Sequence, residues 1–385
     1  MFGAAIILLS LSIAIKYEKL GFYAAYTFFC YTLIALAGLE GIEAAFQINI
    51  KPSDTHLYYT GYNSPWEYIS DYLFYYYPAS LKLLTHPFDN IYYALVVQCA
   101  FMAFAIIWSL RKSNSMFYCL VLISHTVIYL SVNLFKDNYF LIVCLLAIGV
   151  VSRLKSKFVS SIAILTSIWA MMLVRPFAFL FLPLSGTPFV FTNASKWLKI
   201  IFWGGSIIAM GAILVTQWGV IMYVASSWSD EASVGTSGIS IASLPKVILG
   251  PTPFHYFYHK DHFVQPFLDS QAVVLTFLHY VYYAALTWFI VVLPKNIKSW
   301  YQSVFQSPAA VFAFALGMAI LVIYMVAYGS ADVRQRAIIL TLLFLSISLP
   351  FTEQNKPFDT SLTAIETSAF VGIFGLLFVV SLFAI

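Results

Sequence analysis

Three arginines and two aspartates are the residues of this chain best equipped for chemistry. Arg175 stands in Met171-Met172-Leu173-Val174-Arg175-Pro176-Phe177, with apolar sequence on both sides. An arginine in hydrocarbon costs roughly 2.5–3.5 kcal/mol on insertion scales, which selects for a bundle interior, a polar cavity or a snorkelling position at the headgroups. A guanidinium fork matches phosphate oxygens and keeps its charge in any surroundings, so the functional reading of Arg175 is a phosphate ligand. Arg334 and Arg336 lie in Ala331-Asp332-Val333-Arg334-Gln335-Arg336, directly before an apolar run. On a loop their i, i+2 spacing would splay two forks around a pyrophosphate; on a helix they would diverge, and at most one would point inward. Their plainer use is a lipid headgroup or a pair with Asp332.

Asp54 and Asp137 are the candidate bases. Asp54 sits in Asp54-Thr55-His56-Leu57-Tyr58-Tyr59, and a carboxylate there, next to arginine-bound phosphate, could take a proton from an acceptor hydroxyl. Asp137 is flanked by Lys136 and Asn138 between two apolar runs. Its plainer reading is a local ion pair or helix cap at a tight turn. Lys136, His56, Tyr58 and Tyr59 join the arginines as substrate-binding candidates. Glu40 and Glu43, at i, i+3, are further carboxylates that could face the same cavity.

The elements that must position these residues are membrane spans. The 385 residues are 61% hydrophobic, 18% aromatic and only 9% charged, which excludes an ordinary soluble domain. Lys16/Lys19, Arg111/Lys112, Arg153/Lys155/Lys157, Lys196/Lys199 and Lys295/Lys298 occupy every second gap between apolar runs, as the positive-inside rule requires of cytoplasmic ends. The intervening gaps hold Asp54, Lys136-Asp137, Arg175 and Arg334/Arg336, so chemistry is expected on the outer face. The net charge of +4 follows from the basic gaps and calls for no nucleic acid.

Apolar length and punctuation predict an all-α polytopic protein of twelve spans. They are placed at about 2–15, 21–39, 91–110, 116–134, 138–152, 158–174, 176–193, 199–218, 271–293, 309–328, 337–351 and 364–385, in one integral domain covering residues 1–385. Around Arg175-Pro176 the run could instead be one kinked helix, or a helix followed by a re-entrant segment. Two long outer loops, about 40–90 and 219–270, are expected to carry interfacial helices. The first is rich in Tyr and Trp from Trp66 to Tyr77, and the second ends in His255, His259 and His262. That histidine spacing is compatible with a metal, but aromatic residues and Pro253 fit an interfacial loop equally well, and no metal is assigned. Cys30, Cys99, Cys119 and Cys144 all lie in apolar runs and read as packing residues. The segment from Met1 to Ile15 lacks signal-peptide character and is expected to be the first span.

In order along the chain, these features resemble the bacterial polysaccharide polymerases, the O-antigen and exopolysaccharide (Wzy/EpsG-like) family. The resemblance rests on Lys16-Tyr17-Glu18-Lys19, Gly41 with Asp54 to Tyr59, Asn133-Leu134-Phe135-Lys136-Asp137, Leu173-Val174-Arg175-Pro176 and Arg334-Gln335-Arg336. These motifs are short. The chain departs from the exopolysaccharide type at Gly38-Leu39-Glu40-Gly41, where an arginine often follows the glycine, and at Lys136-Asp137, where an Arg-Gln pair is usual. Those departures leave room for the broader GT-C-type membrane glycosyltransferases.

The resemblance implies glycosyl transfer at the periplasmic leaflet of a bacterial inner membrane. A glycan on undecaprenyl pyrophosphate would be the donor, and the terminal sugar hydroxyl of a lipid-linked repeat unit the acceptor. Arg175, Arg334 and Arg336 would hold the leaving pyrophosphate, Asp54 or Asp137 would be the base, and no cofactor or metal is expected. The bilayer is a necessary partner, and a chain-length regulator an open one. The alternatives are a single-step polyprenyl-phosphate-sugar glycosyltransferase and a flippase for lipid-linked oligosaccharides. A flippase should show internal pseudo-symmetry and mid-membrane polar groups, whereas here the charges cluster on one face. A membrane acyltransferase would need a histidine in the bilayer, and His125 is expected to be the only one within a span.

Overall fold

The structure is a computed structural model that describes residues 2–40, 62, 82, 86, 90–110, 115–189, 196–216, 269–328, 333–353 and 359–383. Every regular element among them is helical. In chain order these are α1 (Phe2–Lys16), α2 (Leu20–Glu40), α3 (Ile91–Ser109), α4 (Ser115–Ile123), α5 (His125–Val132), α6 (Lys136–Arg153) and α7 (Lys157–Val174). A 3-10 segment, Pro176–Phe189, follows, then α8 (Lys196–Thr216), α9 (Asp269–Val304), α10 (Pro308–Tyr328), α11 (Val333–Glu353) and α12 (Ala364–Phe383). Six of these helices are long and apolar enough to cross a membrane, and up to seven spans result if α5 and α6 are taken as one bent span. The chain is a multi-pass, all-α membrane protein.

Burial grades the helices by depth. All eight residues of α5 are buried, and α3 and α11 are buried along most of their length. Around this core α7, α8 and α12 expose Trp169, Trp197, Ile208, Val215, Ile365 and Leu376. Apolar side chains facing outward are what lipid contact requires of a peripheral helix.

Three expected spans differ from the observed elements. The run 116–134 is two helices, broken at Ser124, whose hydroxyl accepts from the Val127 N–H at 3.4 Å and starts α5. The run 176–193 is a 3-10 segment over Pro176–Phe189, because Pro176, Pro183 and Pro188 remove amide donors from an α ladder. It packs back on α7 and against α8, to which it is joined by the Ser185 and Ser206 hydroxyls at 2.8 Å. The run 271–293 continues without a break through Lys295 and Lys298 to Val304. Thirty-six residues make a helix of about 54 Å, well beyond a hydrocarbon core of ~30 Å.

Two of the basic gaps come together at one end of the bundle. The Arg153 guanidinium, at the end of α6, lies 4.0 Å over the Trp108 ring and 5.5 Å from the Tyr17 ring, between α1 and α2. It also donates to the Trp108 carbonyl at 2.7 Å and the Gly149 carbonyl at 2.6 Å. Lys19 sits 5.5 Å from the Tyr118 ring nearby. Their shared end is what alternating charge predicts for these two gaps. Of the four cysteines, Cys30, Cys99 and Cys144 are buried as expected, while Cys119 is exposed.

Candidate functional site

The candidate site is built on the break between α5 and α6. Asn133 ends α5 in an extended conformation, and the next helix, α6, leaves at 116° to it. A backbone break inside a membrane protein needs donors for the carbonyls it frees. Gln98 of α3 supplies them, its amide donating to the Ser131 carbonyl at 2.9 Å and the Asn133 carbonyl at 2.8 Å. The Ser131 hydroxyl meets the Tyr26 hydroxyl of α2 at 2.6 Å, and the Asn133 amide folds back on the Tyr129 carbonyl at 2.8 Å. Three helices therefore fix the point at which α6 begins.

Phe135 caps α6 with no side-chain hydrogen bond, and Lys136, Asp137 and Asn138 form its first turn. Asp137 is fully buried. Its Oδ1 accepts from Arg175, through Nε at 3.0 Å and through Nη2. Arg175 can reach it because Pro176 disfavours a helical conformation for the residue before it. The helix α7 accordingly stops, and Arg175 is extended at φ −136° and ψ 100°, its N–H still bonded to the Met171 carbonyl at 2.8 Å. On the other carboxylate oxygen, Arg334 of α11 approaches with Nη1 at 3.9 Å, close enough for Coulomb attraction but too long for a hydrogen bond. The two arginine side chains are only 12% and 11% exposed.

Aromatic rings line the cluster. Arg334 lies 5.0 Å over the Phe135 ring, and Phe177, two residues after Arg175, packs edge to face on Tyr324 of α10 at 6.0 Å and tilted against Phe140 at 6.3 Å. Tyr324 is within electrostatic range of Arg175, Asp137 and Arg334 and hydrogen-bonds to Gln335. Lys136 adds a further positive charge near the carboxylate. Among the described residues Lys136, Arg175 and Arg334 thus surround a single carboxylate, and their balance is positive. Both α6 and α11 begin here, and helix N-termini add positive potential where α11 carries arginines and no acid in its first turn. Basic residues at two helix starts oppose the macrodipole, an arrangement that favours an anion between them.

The sequence-predicted residues divide into three groups. Asp137, Arg175, Arg334 and Lys136 converge, although they come from three separate gaps. Asp137 is not a local ion pair or cap; its partner Arg175 is 38 positions away. Arg336 is buried as well, although the two arginines diverge around α11 as i, i+2 positions on a helix do. The reason for its burial is that α11 is enclosed on more than one side, by α10, α6, α5 and α9. Arg336 acts electrostatically on Tyr283 of α9, away from Asp137. Asp54, His56, Tyr58 and Tyr59 lie outside the described residues, as do Glu43 and the histidines 255, 259 and 262.

Two groups escaped the sequence reading. His279 of α9 is fully buried and stacks on His125 at 3.8 Å, with Tyr282 and Tyr283 edge-on at 5.2 and 4.5 Å. His125 is therefore not the only histidine within a helix core; His279 falls in the run 271–293 and was legible there. The second is Asn138, buried beside Asp137. Its signal was the polar triplet Lys136-Asp137-Asn138 opening an apolar run.

Comparison of the chain with protein-family models, with curated proteins and with solved structures gives no match. The assignment of a function rests on the cluster itself.

Proposed function

We propose that this protein is a membrane glycosyltransferase that polymerises undecaprenyl-pyrophosphate-linked oligosaccharide repeat units of a surface polysaccharide. It is a multi-pass protein that works at the periplasmic leaflet of a bacterial inner membrane. The observation that carries the reading is the convergence of Arg175 and Arg334 on Asp137, at the start of a helix whose other end holds Arg153. Sixteen residues of α6 separate these two charged ends by about 24 Å, close to the thickness of a hydrocarbon core. Fixed cations in a water-poor site suit a pyrophosphate leaving group.

In this reading the acceptor hydroxyl attacks the anomeric carbon of the donor. The carbon–oxygen bond to pyrophosphate breaks, the electron pair stays with the phosphate oxygen, and Arg175 and Arg334 stabilise its charge. The hydroxyl proton passes to a carboxylate. Asp54 is the first choice for that role, because Asp137 already accepts hydrogen bonds from Arg175 and serves better to orient the guanidinium. Lys136 supplies further positive charge, and His56, Tyr58 and Tyr59 would contact the glycan.

Reconstitution of the purified protein with a synthetic lipid-pyrophosphate repeat unit, with and without chelator, tests the reading. A ladder of products that survives the chelator supports it. Addition of a single sugar would mean a one-step transferase, and movement of the lipid between leaflets without any glycosidic product would mean a flippase.

A further inference from the structure

Asn138 occupies the third position of α6, one residue beyond Asp137, and is fully buried. Its backbone N–H is bonded to the Phe135 carbonyl at 3.1 Å, but among the described residues neither its amide nitrogen nor its amide oxygen has a hydrogen-bond partner. A buried primary amide left in this way loses its hydration without replacement, and an apolar side chain of the same shape would be the more stable choice. A local rule broken next to a cluster of convergent charge is the mark of a functional position.

The chemistry of the amide narrows the ligand. Phosphate oxygens at neutral pH only accept from an amide, and would leave the Asn138 oxygen unmet. A sugar hydroxyl both donates and accepts, as does an acetamido group, and either satisfies both ends of the side chain. The anomeric carbon of a lipid-linked glycan is bonded directly to phosphate. A phosphate held by Arg175 and Arg334 therefore brings the first sugar ring to the same turn of α6. We propose that Asn138 recognises this first sugar, through a ring hydroxyl or acetamido group, and so sets the sugar preference of the site. The inference rests on the phosphate-binding reading given above.

The test compares binding of three lipids to the full-length protein and its variants: undecaprenyl pyrophosphate, and the same lipid bearing one hexose or one N-acetylhexosamine. The wild type should bind one of the sugar-bearing lipids about tenfold more tightly than the bare lipid, as two added hydrogen bonds allow. In Asn138→Leu this gain should vanish, affinity for the bare lipid should stay within about twofold, and the melting temperature should hold or rise. Asn138→Ala, which needs no added volume, repeats the comparison should leucine not be accommodated. A sugar-dependent gain that survives both variants overturns the proposal, as does a fall in melting temperature with equal loss for all three lipids, which would mark a structural amide. If the bare lipid binds the wild type in an Arg175-dependent manner and no sugar adds to it, the proposal alone fails. If none of the three lipids binds, the phosphate-binding reading fails with it.

Discussion

Arg175 and Asp137 form an ion pair across 38 residues of sequence, with Nε of the arginine 3.0 Å from Oδ1 of a fully buried carboxylate. One partner closes a helix and the other opens one. The pair therefore ties the end of α7 to the start of α6 as well as gathering charge, and its two roles can be separated.

Arg175→Ala leaves a buried carboxylate facing, among the described residues, Arg334 at 3.9 Å and Lys136. Breaking one side of such a pair costs about 3–5 kcal/mol, whereas replacing both sides with apolar groups of similar volume is often neutral. Thermal unfolding in detergent should show a large loss for Arg175→Ala and a substantial recovery for Arg175→Met combined with Asp137→Leu. Polymer formation should be abolished in both. Retained polymer in the stable double variant would remove the arginine from the leaving-group role.

Gln98 is uncharged, and it fixes the break from which α6 departs. Gln98→Leu leaves the Asn133 carbonyl without its Gln98 donor, at about 1–3 kcal/mol for an orphaned buried group, and leaves the Ser131 carbonyl with the weaker Cys99 thiol at 3.2 Å. The melting temperature should fall, and turnover should fall further than the loss of folded protein accounts for, because the Asp137 carboxylate shifts relative to Arg334. A turnover per folded molecule equal to wild type would show that the break has no bearing on the site.

The helical, membrane-spanning character was legible because apolar runs with charged ends are long signals; six of the described helices are long and apolar enough to cross a membrane, up to seven with the bent pair. The local punctuation was legible only in part. Three prolines within fourteen residues turn an expected span into a 3-10 segment, a change that hydropathy does not register. Asp137, Arg175 and Arg334 each stood out alone, by charge against an apolar background. Their meeting depends on Gln98 and on the directions of α6, α7 and α11, which are tertiary facts. The burial of both Arg334 and Arg336 likewise follows from the enclosure of α11, while their divergence follows from their spacing.

Outside the spans, Asp359 gives a pH signature. The Ser361 hydroxyl and N–H donate to its carboxylate at 2.7 and 3.0 Å, and Lys295 lies 3.4 Å away, so its pKa is held below the ordinary value of 3.8. A carboxylate whose folded value is depressed adds stability above its unfolded value, and loses it as pH falls through the folded one. The melting temperature should therefore be insensitive to this group from pH 8 to 5 and decline only below about pH 4. Asp359→Asn should flatten part of that decline and leave the neutral range nearly unchanged, since the group is exposed.

Pro176 gives the sharpest separation between backbone and charge. Arg175 takes its extended conformation, φ −136° and ψ 100°, because a following proline disfavours the helical alternative. Pro176→Ala removes that bias and restores an amide donor, so α7 can add a residue and rotate the guanidinium off Asp137. No charge is lost, and the helix gains a hydrogen bond. Hydrogen exchange should show added protection at residues 176 and 177, since the Arg175 and Ala178 N–H groups are already bonded, while polymer formation drops toward the level of Arg175→Ala. If activity persists with that added protection, Arg175 does not need Asp137 for its position, and the ion pair is a structural tie only.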